Sequence, residues 1–112
     1  MPANGADFFP ELVETPVFTR LVADLWTAEE YRRLQVFLVR RPDVGHVIPG
    51  SGGLRKCRWG LEHRGKRGSC RVVYAWLPTR QRLYLLLAYR KQDQDDLTPD
   101  QLRVLRQLMH DP

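Results

Sequence analysis

Seven cations crowd into residues 55–71, RKCRWGLEHRGKRGSCR: Arg55, Lys56, Arg58, Arg64, Lys66, Arg67 and Arg71 stand against one acid, Glu62. The segment carries a net +6 while the whole 112-residue chain carries +5, so the remainder is slightly acidic and the positive charge is concentrated in one place. Like charges packed this closely repel one another and cost stability until an anion neutralises them. Nucleic acids are the abundant cellular polyanions, and their affinity for such patches comes largely from counterion release. The residue types also suit phosphate chemistry. Planar guanidinium forks match phosphate oxygens, and lysine can move protons where crowding by other cations lowers its pKa.

The elements that must position these cations follow from periodicity. Leu54–Trp59, Cys70–Trp76 and Arg82–Lys91 are strand-like, bounded by the turn-rich segments Gly60–Ser69 and Leu77–Gln81. They predict a three-stranded antiparallel meander. Side chains alternate along a strand, so Lys56 and Arg58 share one face, as do Arg71, Val73 and Ala75. Pairing Lys56 opposite Arg71 would set Cys57 opposite Cys70 on the other face, beside Trp59, Val72 and Tyr74. A one-residue slip would bury cations, which favours this register. Two cations directly opposed are destabilising, and a phosphate between them would reverse the sign.

Ahead of the meander, Glu11–Glu14 reads as a short edge strand. Thr15-Pro16 is an N-cap followed by proline at the first helical position, predicting a helix from Pro16 to about Ala23 with Val17, Leu21 and Val22 inward. Thr27-Ala-Glu-Glu30 is a capping box opening a second helix with Tyr31, Leu34, Phe37 and Leu38 at helical spacing, ended by Arg40-Arg41-Pro42. The loop 47–53, VIPGSGG, leads into the sheet. Thr98-Pro-Asp-Gln101 is a further capping box, starting a terminal helix with Leu102, Leu105 and Met109 on one face. The expectation is an α+β fold: two N-terminal helices packed on an antiparallel sheet, made of the edge strand and the meander, with a C-terminal helix. One sheet face is covered and the other open.

Length and composition bound the rest. A chain of 112 residues holds one domain, here 1–112 with 1–10 as a loose lead-in. Hydrophobic residues at 43% and charged residues at 28% are ordinary globular values. The longest apolar run, Leu83–Tyr89, falls short of the roughly 18–20 residues of a membrane span and reads as a buried strand. The N-terminus lacks the basic-then-apolar order of a secretory signal. Two cysteines without a C-x-x-C pattern argue against a zinc site and for the cytoplasm.

The ordered set GLRK (Gly53–Lys56), RGKRG (Arg64–Gly68), RVVY (Arg71–Tyr74) and YRKQDQDDLT (Tyr89–Thr98) resembles the RelE/ParE toxin superfamily, most closely its HigB-like, RelE-type branch. The resemblance covers roughly residues 12–110. It implies a small RelE-like fold that cleaves mRNA in the ribosomal A site, and a type II toxin neutralised by a cognate antitoxin. Lys56 and Arg58 match the basic pair on the family's first meander strand. Arg71 matches the arginine opening the next strand, and Lys91 falls where a basic residue ends the last strand. RelE also uses a tyrosine a few residues beyond that point. Here QDQDDL ends in Leu97, leaving Tyr89 or Tyr74 as substitutes, or no tyrosine at all.

The chemistry implied is attack of a ribose 2′-hydroxyl on its own 3′-phosphate. It needs proton removal, protonation of the departing 5′-oxygen and stabilisation of phosphorane charge. Arg71 is assigned to the phosphorane with Arg58 assisting, and Lys56 and Lys91 to proton transfer. Arg64, Lys66, Arg67, Tyr89 and Arg90 are assigned to RNA binding. No step demands a metal or cofactor. The implied partners are the 70S ribosome with its mRNA and a helix-turn-helix antitoxin, through which alone operator DNA would be met, with no membrane involved. An acidic antitoxin segment could cover Lys56, Arg58 and Arg71, or antitoxin packed elsewhere could block entry to the A site. Steric exclusion is favoured because exposed ion pairs are weak and salt-screened. Docking is expected on the edge strand near Leu12–Glu14 and the adjoining helices, since an unpaired edge invites strand addition.

Other residues have plainer readings. His63 in a polar loop is more often exposed than a general base, and His46 and His110 are structural or solvent-facing. Asp93, Asp95 and Asp96 favour the dipole of the helix they precede rather than a metal. Cys57 and Cys70 read as core thiols, Tyr31, Phe37, Trp59 and Trp76 as core aromatics. Arg32, Arg33, Arg40 and Arg41 read as a solvated helix face. Fold does not decide activity, and the superfamily includes ParE-like gyrase inhibitors that cut nothing. That reading, and non-catalytic nucleic-acid binding, stand as the alternatives.

Overall fold

Three threonines open the three helices, and each does so through its own hydroxyl. The computed structural model describes residues 9–60 and 69–110. Thr15 Oγ1 accepts from Phe18 N at 3.0 Å and Pro16 occupies the first turn, giving helix α1 (Pro16–Leu25). Thr27 and Glu30 exchange reciprocal bonds at the start of α2 (Ala28–Arg40). Thr98 and Gln101 do the same before α3 (Pro99–His110), at 3.1 and 3.0 Å.

Among the described residues five strands form one sheet: β1 (Glu11–Glu14), β2 (His46–Val47), β3 (Arg55–Trp59), β4 (Cys70–Leu77) and β5 (Arg82–Arg90), in the order β1-β5-β4-β3-β2. Strands β3, β4 and β5 are the expected antiparallel meander. Two features depart from the expected sheet, one in strand direction and one in strand number. Strand β1 pairs parallel to β5, Glu11 with Arg82 through Glu14 with Leu85, so the sheet is mixed. The chain between β1 and β5 includes both helices and the other strands, so no tight turn dictates an antiparallel approach. A two-residue strand, β2, also extends the other edge, its ladder short enough to be missed as loop.

The register differs from the expected one by two residues. Arg58, not Lys56, lies opposite Arg71; Lys56 faces Val73, Cys57 faces Val72 and Trp59 faces Cys70. An even shift preserves every residue's face, which is what burial specifies, and leaves the choice of partner to loop geometry.

Both faces are covered, where one open face was expected. On the first, Phe18 and Leu25 of α1 with Leu34 and Leu38 of α2 pack on Cys57, Cys70, Val72, Tyr74, Leu83 and Leu85. On the second, Leu105 of α3, with Leu102 and Met109, packs on Val73, Ala75, Leu86 and Tyr89. The apolar pair Val73 and Ala75 on the cationic face is the reason: these positions need a lid, and α3 supplies an apolar stripe at matching spacing. In α1 the inward set is Phe18, Leu25 and, part-buried, Leu21 and Val22; Val17 is exposed, because Phe18 rather than Val17 falls in phase with Leu25 one heptad on.

Strand β5 carries a bulge. Val73 pairs with Leu87 and Tyr74 with Leu85, leaving Leu86 between them. Thr15 donates its hydroxyl to Leu86 O at 2.9 Å and its amide to Leu85 O at 3.1 Å while its hydroxyl caps α1. One side chain thus ties the end of β1, the start of α1 and the bulge together. Thr15→Val should lower stability by about 1–3 kcal/mol through the lost cap and stranded carbonyl. Urea unfolding should show a lower midpoint with an unchanged slope, and an unchanged midpoint would remove Thr15 from this role.

Candidate active site

Alternation puts Lys56, Arg58, Arg71 and Tyr89 on the α3 face of the sheet. Arg58 and Arg71 are direct cross-strand partners on β3 and β4, and Arg71 and Tyr89 are direct partners on β4 and β5. Helix α3 covers the middle of this face; Arg58, Arg71 and Tyr89 lie at the end where β3 finishes and β4 begins, and Lys56 lies two residues back along β3, opposite Val73. Arg58 is exposed and Arg71 half-buried. Arg71 Nη1 donates to Ser69 Oγ at 3.0 Å, which orients the guanidinium from its own strand.

Lys56 meets an acid. Its Nζ lies 2.9 Å from Asp96 Oδ1, and the lysine side chain is 28% exposed against 66% for the aspartate. The bond from Lys56 leads in holding the Asp96 carboxyl below the usual carboxylate range, helped by the Leu97 amide. Asp96 was expected to serve the helix dipole alone; in the structure it reaches across to β3. The signal for this contact was absent from local sequence, because 40 residues separate the partners.

Tyr89 is 7% exposed, and its hydroxyl has no hydrogen-bond partner among the described residues. Burial raises its pKa first, the charge of Asp96 adds to this, and Arg71 acts in the opposite direction. The phenol is therefore protonated at neutral pH and able to donate. A ring so buried, packed against Val73 and Leu105, offers no face on which a base could stack. The other candidate tyrosine, Tyr74, is fully buried on the opposite face and accepts from Gly45 N at 2.8 Å. A Cβ at Gly45 would come within 2.9 Å of that ring, so the phenol and the glycine are matched structural partners.

The remaining assigned residues are distributed as follows. Lys91 is exposed just beyond β5, with its amide bonded to Ser69 O at 3.1 Å, next to the strand end that carries Arg71. Arg90 is turned away: it pairs with Cys70 on the α1 side, and its guanidinium donates to Asp24 O at 2.7 Å, near the C-terminus of α1. Arg55 likewise serves the backbone, donating to Asp43 O and Gly45 O. Arg64, Lys66 and Arg67, with His63, lie outside the described residues. Cys57 and Cys70 are buried, and burial pushes the Cys57 thiol up to about 12. Arg33 pairs with Glu29 on the exposed flank of α2.

No family model matches the chain. Among solved structures, the free-state structure of an arginine-to-alanine double mutant of the E. coli toxin RelE aligns with a TM-score of 0.58, over 78% of this chain and 88% of that one, at 12% sequence identity. The chain has a RelE-like fold. At that identity the shared feature is architecture, and the chemistry has to be argued from this chain's own side chains. Within this RelE-like fold, Leu97 packs among the apolar residues under α3, and Tyr89 is the phenol next to Arg71, while Tyr84 lies further along the same face beside Ala75.

The Lys56–Asp96 pair has a pH signature. Because the folded pKa of Asp96 is depressed, its contribution to stability is present above the unfolded value, near ~3.9, and is lost as pH falls through the folded value. Exposure keeps that contribution small. Carboxyl-carbon NMR should find Asp96 titrating below the ordinary aspartate range, and Lys56→Met should move the midpoint upward. A midpoint indifferent to Lys56 would mean that the pair does not persist in solution.

Proposed function

We propose that this chain is the toxin of a type II toxin–antitoxin pair: a metal-independent endoribonuclease that cuts mRNA in the ribosomal A site and so inhibits translation. The observation that carries the reading is the juxtaposition of Arg58 with Arg71 across β3 and β4, flanked by Lys56 and by the buried hydroxyl of Tyr89, which has no partner among the described residues. Opposed cations and an unpaired buried donor are each unfavourable alone, and a phosphodiester between them satisfies both. The RelE-like fold adds to this.

In the reaction, the ribose 2′-oxygen forms a bond to phosphorus as the bond to the 5′-oxygen breaks. The 2′-proton is removed and the departing oxygen gains one. Arg71, assisted by Arg58, stabilises the added charge on the phosphorane oxygens through fork-shaped donation. Lys56 and Lys91 carry the proton transfers, and the Tyr89 phenol donates a hydrogen bond from beneath. Arg64, Lys66 and Arg67 follow the RNA backbone. Arg90, engaged with Asp24, has a structural role in place of the RNA contact first assigned to it.

A protein with this surface binds RNA readily, so a cognate helix-turn-helix antitoxin made beside it restrains it in the cytoplasm. The exposed edge of β1 and the helices next to it offer the docking surface, and a folded obstacle there excludes the chain from the ribosome.

Expression in bacteria should arrest translation and break mRNA within reading frames. Arg71→Ala should lower cleavage by about a hundredfold or more while the protein stays folded. End-group analysis of ribosome-programmed cleavage should find a 2′,3′-cyclic phosphate or 3′-phosphate and a downstream 5′-hydroxyl. A downstream 5′-phosphate would sink the 2′-hydroxyl attack. Growth arrest with intact mRNA and trapped gyrase–DNA complexes would instead establish the ParE-like activity.

A further inference from the structure

We infer that Asp96 is a positioning residue for Lys56, an assignment that rests on the ribonuclease reading of the same site. Its carboxylate fixes the end of a long, flexible side chain at the mouth of the cluster formed by Arg58, Arg71 and Tyr89. A lysine ammonium on four methylenes samples many rotamers, and proton transfer in an RNA cleavage needs one of them.

The segment ahead of α3 is built to hold this acid still. Asp96 Oδ1 accepts from Leu97 N at 2.8 Å as well as from Lys56, so one oxygen is fixed from two sides. Gln94 Nε2 donates to Asp96 O and to Gln101 Oε1, both at 2.9 Å. Gln101 is the residue whose side chain closes the capping box with Thr98. The position of Asp96 is thus referred to the first turn of α3, and α3 is seated on Val73 and Leu86 of the sheet that carries Lys56. Leu97, next in sequence, is packed into that same cluster.

The pair is exposed and contributes little to stability, so its consequence is geometric. Asp96 takes up one of the three ammonium protons of Lys56 and leaves two to address the RNA.

The test compares the wild-type chain, Asp96→Ala, Asp96→Glu, Lys56→Ala and the double Lys56→Ala/Asp96→Ala in single-turnover cleavage of ribosome-bound mRNA, after urea unfolding has shown each variant folded. Asp96→Ala should reduce the maximal rate about tenfold or more, with the ribosome concentration for half-maximal rate within about twofold of wild type. Asp96→Glu should recover part of the rate, and Asp96→Ala should cost nothing further in the Lys56→Ala background. Side-chain nitrogen NMR of Lys56 reads the pair without catalysis, and its resonance should shift in Asp96→Ala. An active wild type with Asp96→Ala equally fast would overturn the inference alone. A faster Asp96→Ala would make the carboxylate an obstacle that RNA displaces, again overturning it. Wild-type protein that leaves ribosome-bound mRNA intact would overturn both this inference and the ribonuclease reading.

Discussion

The alternation along β4 is the constraint on which the remainder of the molecule depends. Cys70, Val72 and Tyr74 point toward α1 and α2, while Val73 and Ala75 point toward α3, and all five are buried. A strand buried on both faces cannot slip by one residue without driving Arg71 into the helical core. The same alternation that locks the core therefore delivers Arg71 to the end of the sheet, opposite Arg58 and beside Tyr89. Position of the cations and burial of the core are one decision made by one strand.

The electrostatics at that end are less one-sided than a list of basic residues suggests. Arg55 is occupied with backbone carbonyls around Gly45, and Arg90 with the end of α1. Lys56 has its acid, Arg71 its serine hydroxyl, and Arg58 is exposed. Among the described residues, what concentrates is a small group of donors around a buried phenol. Oriented donors in a half-buried setting favour one geometry of bound anion, whereas scattered cations favour any polyanion.

Local chemistry made most of the elements readable before any coordinates. The threonine caps at Thr15, Thr27 and Thr98 mark the three helix starts because their bonds lie within four residues. The meander was equally legible, since apolar alternation in β4 and β5 belongs to the strand itself. Long-range choices were not. The parallel pairing of β1, the two-residue register difference between β3 and β4, and the seat of α3 on the second face depend on contacts between distant segments. At the site, the shared face of Lys56, Arg58 and Arg71 followed from parity, which the register difference left intact. The roles of Asp96, Tyr89 and Arg90 depended instead on which neighbour each side chain meets. Asp96 read as a helix-dipole acid because nothing near it in sequence announces Lys56.

The parallel ladder between β1 and β5 joins the first strand of the chain to the last. Thr15 bonds to a carbonyl 71 residues further on, and Glu11 to Arg82 across the same distance. Until β5 has been made, β1 has no neighbour to pair with, the cap of α1 lacks its anchor at the bulge, and Phe18 lacks part of the sheet it packs against. Closure of a loop this long has an entropic cost that no local contact offsets. During synthesis the chain thus emerges with its cations already translated but its β4 alternation unsupported on one edge. The order of assembly follows: the cationic end of the sheet can be set only after β5 has been made, so the strand that carries Arg71 waits on residues translated after it.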